Sequence, residues 1–326
     1  MPVVRHTDKK LLSPRRREKK VRRTTVVYIC LPIDATIDTT KQRNGGVRLT
    51  MKAWISIDME GISGIVDREQ LLPEGRLYQA SRALMVEDLL SVMEGLRSRG
   101  VDTVVVNDSH DGMLNLPWDQ LPPDLRVILG ANKPGSMVEG SRGADFALLV
   151  GYHAMAGTSA AVMDHTYSGE IRRVRLNGMA VGETGINAAA IGEWGVPVIL
   201  VTGDRAVGEE AKALLPWVKT AVVKEAVSRR SAVLISREET RTILRQAVES
   251  ALDDGFLAGN AHPWQLPPPV SLEVELMTTD MADRAMYCPY MERADGVTVR
   301  QTFPSVAEAF RGFYTVMALA AGRPLY

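Results

Sequence analysis

From Met51 onward, short apolar runs alternate with stretches of helical periodicity. The runs are rich in Val, Ile and Leu, which is typical of strands in a sheet that is covered on both faces. They lie at residues 55–58, 103–107, 126–130, 147–151 and 196–202. This alternation predicts an α/β fold.

The stretch between the first two runs has the periodicity of a helix. Its apolar residues recur at the 3.6-residue period, and Gly100 follows them as a C-terminal glycine would. They are Met85, Leu89, Val92, Met93 and Leu96. Strand, helix and strand at this spacing form a βαβ unit with a right-handed crossover. We therefore predict a layered α/β/α domain around a mostly parallel sheet.

The later part of the chain carries turn and cap signals. Asn177-Gly178 lies between alternating residues and predicts a hairpin over 172–181. Helices are predicted over 183–194 and 206–215, and capping boxes begin two more at Ser236 and Ser305.

Domain boundaries follow from composition. The proline-rich stretch 259–269 predicts a linker. We therefore predict a catalytic α/β domain over 51–258 and a smaller C-terminal α+β portion over 259–326. Residues 1–50 are interpreted as a basic, disordered extension or as an over-long assignment of the translation start.

The charge is divided unevenly along the 326 residues, although the formal net charge is zero. Residues 1–50 hold 13 basic and 4 acidic side chains, and the remainder holds 26 basic and 35 acidic ones. Residues 51–326 are therefore acidic overall, and an acidic surface binds a phosphate backbone poorly, so we expect these residues not to bind nucleic acid.

Composition also bears on the compartment. Apolar residues make up 45% and charged residues 24% of the chain, as in ordinary globular proteins. Cys30 and Cys288 cannot form a disulfide framework, and no apolar run approaches the length of a membrane span. The basic and apolar stretch before residue 34 lacks a small-residue cleavage site for secretion. We expect a cytoplasmic protein that does not contact the membrane.

Carboxylates and imidazoles follow the predicted strands. In an open parallel sheet, ligands bind at the carboxyl ends of the strands. Asp58 and Glu60 follow the first strand, His110 the second and His153 a later one, and Glu183 begins the helix after the hairpin. Five oxygen and nitrogen ligands without sulfur suit Zn²⁺, or Mn²⁺ and similar ions, and the carboxylates suit two ions that share a bridge.

Each of these residues also has an ordinary structural interpretation. Asp58 could be an ordinary turn residue, and His110 could lie in the first turn of a capped helix. His153 could be hydrogen-bonded to a backbone carbonyl, and Glu183 could interact favourably with the dipole of the helix that it begins. Their shared place at one sheet edge favours the metal site.

His165 is the histidine left over near this edge. It could act as a general acid or base or as an electrophile beside the metal, or it could be a loop histidine bonded to Asp164 or to the backbone. His262 precedes a proline in the predicted linker and carries no functional signal.

Several long motifs, in order, resemble the D-aminopeptidase family of zinc peptidases, a bacterial group. The resemblance covers 51–326 and is strongest to about residue 232. It is carried by WISIDMEGISG (54–64), VVVNDSHDGMLNL (104–116), PGSMVEG (134–140), LLVGYHAMAGT (148–158), VMDHTYSG (162–169), LNGMAVGETGINA (176–188) and VPVILVTGD (196–204).

The resemblance implies an aminopeptidase that hydrolyses short peptides with an N-terminal D-residue such as D-Ala. It implies two zinc ions per subunit, a homodecamer of two stacked pentamers, and His165 as the catalytic histidine. The zinc ligands that it implies are Asp58, Glu60, His110, His153 and Glu183, with Asp58 as the bridge. The extension 1–50 departs from the family, and the loop from His153 to His165 differs from it by about one residue.

Two other functions are compatible with parts of this pattern. A metal-dependent hydrolase could act on a non-peptide amide or ester, because the sequence does not define the substrate pocket. A peptide-binding component of a transporter would be a non-enzyme alternative, but it predicts a signal or lipid-anchor segment that the sequence does not display.

Overall fold

The computed structural model of the protein describes residues 51–322. The predicted extension 1–50 therefore lies outside the described residues. The helices and strands are, in chain order, β1 (Lys52–Ile57), α1 (Tyr78–Ser98), β2 (Thr103–Asp108), β3 (Arg126–Ile128), β4 (Phe146–Tyr152), β5 (Ile171–Leu176), β6 (Met179–Val181), α2 (Glu183–Glu193), β7 (Val198–Asp204), α3 (Arg205–Leu214), β8 (Lys219–Ser228), β9 (Ser231–Leu234), α4 (Arg237–Ser250), β10 (Val270–Leu276), α5 (Thr279–Ala285), β11 (Glu292–Arg293), β12 (Thr298–Phe303) and α6 (Val306–Ala320).

The larger sheet has seven strands in the order β3-β2-β1-β4-β7-β8-β9. All neighbouring pairs from β3 to β8 are parallel, and β9 alone runs antiparallel, against β8. The prediction of a mostly parallel sheet is therefore confirmed. The edge hairpin β8–β9 was not predicted, because its alternating and partly exposed residues give a weaker signal than a continuous apolar run.

Two hydrophobic cores cover the two faces of this sheet. Along β1, Ala53, Ile55 and Ile57 face a core that includes Leu89 of α1 and Leu244 of α4. On the opposite face, alternate residues of the central strands join a second core built with α2, α6 and the smaller sheet. This alternation follows from the two-residue period of a strand and gives the layered α/β/α architecture.

The smaller sheet is antiparallel and has the order β11-β12-β10-β5-β6. The hairpin β5–β6 turns at Asn177, with φ of 48°, and Gly178, with φ of 81°, as the Asn-Gly signal predicts. Because β5 and β6 precede residue 258 and β10 to β12 follow it, the predicted domain boundary does not separate the two sheets. The smaller sheet is therefore more than a C-terminal appendage.

The predicted helix starts are also present. Ser236 accepts a hydrogen bond from the backbone of Glu239 at the start of α4, and Ser305 does the same for Glu308 at the start of α6. Among residues 51–322, every helix is too short or too polar to cross a membrane.

Candidate metal centre

The candidate site lies at the carboxyl ends of three adjacent strands. Since β2, β1 and β4 are neighbours, the residues that follow them meet at one edge of the sheet. Asp58 and Glu60 follow β1, His110 follows β2, and His153 follows β4. Glu183 is the first residue of α2 and completes the group of predicted ligands.

Two glycines let the turn after β1 lie directly against the end of β4. The Gly61 N–H donates to the Gly151 carbonyl at 2.7 Å. A Cβ at Gly61 would lie 1.9 Å from the carbonyl oxygen of Tyr152. Only glycine fits there, and this close approach brings Asp58 and Glu60 beside His153.

The five predicted ligands form one buried cluster. The Nδ1 atom of His110 lies 3.2 Å from Asp58 Oδ1 and 3.0 Å from Glu60 Oε2. The Nε2 atom of His153 lies 3.6 Å from Asp58 Oδ2 and 3.2 Å from Glu183 Oε1. Asp58 therefore presents one oxygen to each imidazole and stands between them.

His165 reaches the same cluster from the loop after His153. Its Nε2 atom lies 3.9 Å from Glu60 Oε1 and 3.7 Å from Glu183 Oε1. Its ring stacks on that of His153, with centroids 4.0 Å apart. The His165 side chain is 26% exposed, whereas that of His153 is 1% exposed, so His165 faces solvent at the rim. Donor atoms of His153, His165 and Glu183 all lie within 4.8 Å of one another.

Each imidazole places its second nitrogen next to a backbone carbonyl. His110 Nε2 lies 3.2 Å from the carbonyl oxygen of Leu71, and His153 Nδ1 lies 3.1 Å from that of Ala154. His165 Nδ1 lies 2.9 Å from the carbonyl oxygen of Met163. An N–H donated to each carbonyl leaves the opposite nitrogen with a lone pair directed at the carboxylates, which is the arrangement of metal-binding histidines.

Two buried polar atoms in the cluster, Glu60 Oε2 and His153 Nε2, complete no well-directed hydrogen bond, although an imidazole or a carboxylate lies within 3.2 Å of each. Buried polar groups are normally hydrogen-bonded or bound to a metal. These atoms, with their carboxylate and imidazole neighbours, fit the oxygen and nitrogen ligands that zinc takes.

The pKa shifts in the cluster also show that its carboxylates favour a positive charge nearby. Burial and the neighbouring Glu60 raise the pKa of Asp58 to about 8. Burial opposes protonation of His153, but Glu183 and the other carboxylates outweigh it and raise the pKa to about 10. Likewise Glu60, with Asp58, holds the pKa of His110 well above its usual range despite burial. Three buried carboxylates thus attract either protons or a cation to this site.

His165 shows the opposite shift. Burial and the positive charge of His153 lower its pKa below the usual value. An imidazole of lowered pKa is neutral near pH 7 and can accept or relay a proton there.

A polar network behind the cluster was not predicted from the sequence. The backbone N–H of Tyr167 donates to Glu183 Oε1 at 2.6 Å, and its hydroxyl donates to Asn187 Oδ1 at 2.5 Å. Asn187 Nδ2 donates to the Tyr152 hydroxyl, which bonds Ser56 Oγ at 2.7 Å. Ser56, polar in the middle of an apolar strand, is the one sequence signal that could have indicated it.

Lys224 is a second feature that the sequence did not reveal. Its ammonium group is buried and donates to the backbone carbonyls of Glu60, Ile62 and Ile65. Burial lowers its pKa to about 8. Lys224 thereby fixes the turn that carries Glu60.

His262, which carried no functional signal, is exposed and contacts the Trp217 ring away from the cluster.

Comparisons with known proteins identify the family of this chain. The model of a family described as D-aminopeptidase matches residues 51–315. A D-aminopeptidase of Bacillus subtilis (strain 168) is 34% identical over 275 residues, which cover 83% of this chain and 98% of that protein.

A solved structure is also similar to this chain. It is described as the Zn-dependent D-aminopeptidase DppA from Bacillus subtilis, a self-compartmentalizing protease. The match has a TM-score of 0.81 and 34% identity, and it covers 85% of this chain and 100% of that one. Sequence and fold agree over nearly the whole described chain, and we conclude that this protein belongs to the D-aminopeptidase family.

Proposed function

We propose that this protein is a zinc-dependent aminopeptidase that hydrolyses short peptides with an N-terminal D-amino acid such as D-Ala. The observation that carries the proposal is the buried cluster at the end of β1, β2 and β4, in which three carboxylates face three imidazoles. The Zn-dependent D-aminopeptidase that this chain resembles supports the same chemistry.

Asp58, Glu60, His110, His153 and Glu183 would hold two zinc ions in each subunit, with Asp58 shared between the ions. Support for the shared role is that the two oxygens of Asp58 face different imidazoles. Zinc, when bound, supplies an activated water nucleophile and polarises the scissile carbonyl.

His165 is the catalytic histidine in this proposal. It lies at the exposed rim, where a substrate can approach, and its lowered pKa keeps it neutral near pH 7. A neutral imidazole with its lone pair at Nε2 can accept a proton there and then pass it to the leaving amine. Its bond to the Met163 carbonyl fixes the ring, and its Nε2 atom remains directed at the cluster.

The proposal includes a cytoplasmic homodecamer as the working form. The protein that this chain resembles is described as a self-compartmentalizing protease, and an oligomer is the simplest way for a chain to form a compartment. The number ten comes from the family resemblance, and sedimentation analysis of the purified chain would test it.

His165→Ala separates the catalytic role from a ligand role. We expect turnover of D-Ala-D-Ala to fall by about 10²- to 10⁴-fold, the usual contribution of a general acid or base, while zinc content stays at the wild-type level. His262→Ala removes an exposed histidine outside the cluster and serves as the matched control. Loss of zinc from His165→Ala would make His165 a ligand, and unchanged turnover would remove it from catalysis.

A further inference from the structure

The loop that carries both His153 and His165, residues 153–165, is held from helix α3. Near one end of the loop, the Met155 N–H donates to Glu210 Oε2 at 2.8 Å. Near the other end, the Val162 N–H donates to Asp204 Oδ2 at 2.7 Å, and Asp204 also caps α3 through Val207. Asp204, the N-cap of α3, and Glu210 within α3 therefore hold the backbone of this loop at two points between His153 and His165.

Glu210 also lies against the segment that carries Glu183. Its second oxygen, Oε1, is buried and faces the backbone of Gly182 without completing a well-directed hydrogen bond. A Cβ at Gly182 would come within 2.5 Å of this oxygen and 2.8 Å of Met155 Cβ. Glu210, Met155 and Gly182 are thus in tight contact, and a side chain at position 182 would displace one of its two neighbours.

These contacts connect two ligand-bearing segments through one carboxylate. Met155 follows His153 by two residues, and Gly182 immediately precedes Glu183. The predicted ligand atoms on these two segments, His153 Nε2 and Glu183 Oε1, are 3.2 Å apart. Any movement of Glu210 would change this spacing, because the backbones on both sides rest on its side chain.

We propose that Glu210 is a positioning residue for the zinc site, which sets the spacing of His153 and Glu183 by holding the Met155 and Gly182 backbones. The inference rests on the proposed function, since it assumes that these two residues bind zinc. Groups that orient metal ligands typically change metal affinity about 10- to 100-fold when they are removed.

A purely structural role predicts a different result from a positioning role. A buried carboxylate with an unsatisfied oxygen is unfavourable for folding, so its removal need not lower the stability of the metal-free protein. A structural role predicts a lower melting temperature with unchanged zinc affinity. A positioning role predicts weaker zinc affinity in a folded protein.

The experiment compares zinc binding by the full-length wild-type protein and three variants, in competition with a chromophoric chelator, together with melting of the metal-free proteins. We expect Glu210→Ala to weaken zinc binding by about 10- to 100-fold. Glu210→Gln, which keeps one acceptor for the Met155 N–H, should weaken it at least threefold but less than Glu210→Ala. Glu209→Ala removes a carboxyl side chain from the exposed neighbouring position and should bind zinc like the wild type.

Zinc affinity of Glu210→Ala within twofold of the wild type would overturn the inference and leave the proposed function standing. If Glu210→Ala does not fold, Glu210→Gln decides in the same way, and wild-type affinity would overturn the inference. A wild-type protein that binds no zinc would overturn the proposed function and this inference together.

Discussion

Gly61→Ala should damage the metal site through a single steric contact. Gly61 lies where the turn after β1 meets the end of β4, and an added Cβ would be 1.9 Å from the Tyr152 carbonyl oxygen and 2.5 Å from the Gly151 carbonyl carbon. Non-bonded heavy atoms need more than 3 Å, so the two segments must separate by at least about 1 Å. Both neighbours are backbone atoms, and no rotamer change can relieve the contact.

The expected effect follows from what the two segments carry. Asp58 and Glu60 lie on one side of this contact and His153 on the other, so the separation moves the ligands apart. Misplacement of catalytic groups by about 1 Å can cost about 100-fold in rate. We expect kcat/KM of Gly61→Ala to fall about 100-fold or more and its zinc affinity to fall with it. Overpacking should also lower the free energy of unfolding by about 1–3 kcal/mol.

The assay combines zinc content after dialysis, hydrolysis of D-Ala-D-Ala and thermal melting. Gly112→Ala is the matched control, because Gly112 lies two residues after His110 and a Cβ there would meet nothing within 4 Å. Wild-type zinc content and kcat/KM in Gly61→Ala would refute the close approach of the two segments. An equal loss in Gly112→Ala would show that the contact is not the cause.

Three further predictions concern the residues around the cluster. Lys224→Met removes the ammonium donor from three carbonyls of the turn 60–65, of which only the Ile62 carbonyl keeps another donor, the Ile65 N–H, and urea unfolding should show a loss of about 2 kcal/mol or more. Wild-type stability would mean that this ammonium group does not hold the turn. Burial raises the pKa of Asp88 from 3.8 to about 6, so the ionised carboxylate, bonded to Ser63, costs stability as pH rises through 6. The unfolding free energy of the wild type minus that of Asp88→Asn should therefore fall by about 2 kcal/mol between pH 4 and pH 7, and a flat difference would contradict the shift. Tyr167→Phe removes the hydroxyl that donates to the buried Asn187 in the polar network and should lower the unfolding free energy by about 1–3 kcal/mol, with wild-type stability as the contrary result.

Much of the fold follows from local patterns in the sequence. The buried strands of the larger sheet show as continuous apolar runs, and Asn177-Gly178 marks the hairpin β5–β6, because only certain residues adopt left-handed turns readily. The pairing of β5 with β10 could not be predicted in this way. It joins strands far apart in sequence, and neither strand carries a signal for its partner.

The cluster itself was predictable because the strand-end rule gathers residues that are distant in sequence. Asp58, His110 and His153 follow neighbouring strands, and their residue types indicate a metal. Glu210 and Lys224 were not predictable, because they act through backbone atoms. Their partners are a single N–H and a set of carbonyls, which leave no mark in the sequence.

The central claim is that this chain binds zinc at the cluster and releases D-amino acids from peptides. The most direct measurement is the release of D-Ala from D-Ala-D-Ala and of L-Ala from L-Ala-L-Ala by the purified protein, with and without chelator, alongside zinc analysis. We expect chelator-sensitive hydrolysis that favours the D-peptide and is restored by Zn²⁺, with about two zinc ions per chain. Bound zinc without cleavage of either peptide would support the metal site but refute the peptidase function. A protein that binds no zinc would contradict both the metal site and the function proposed for it.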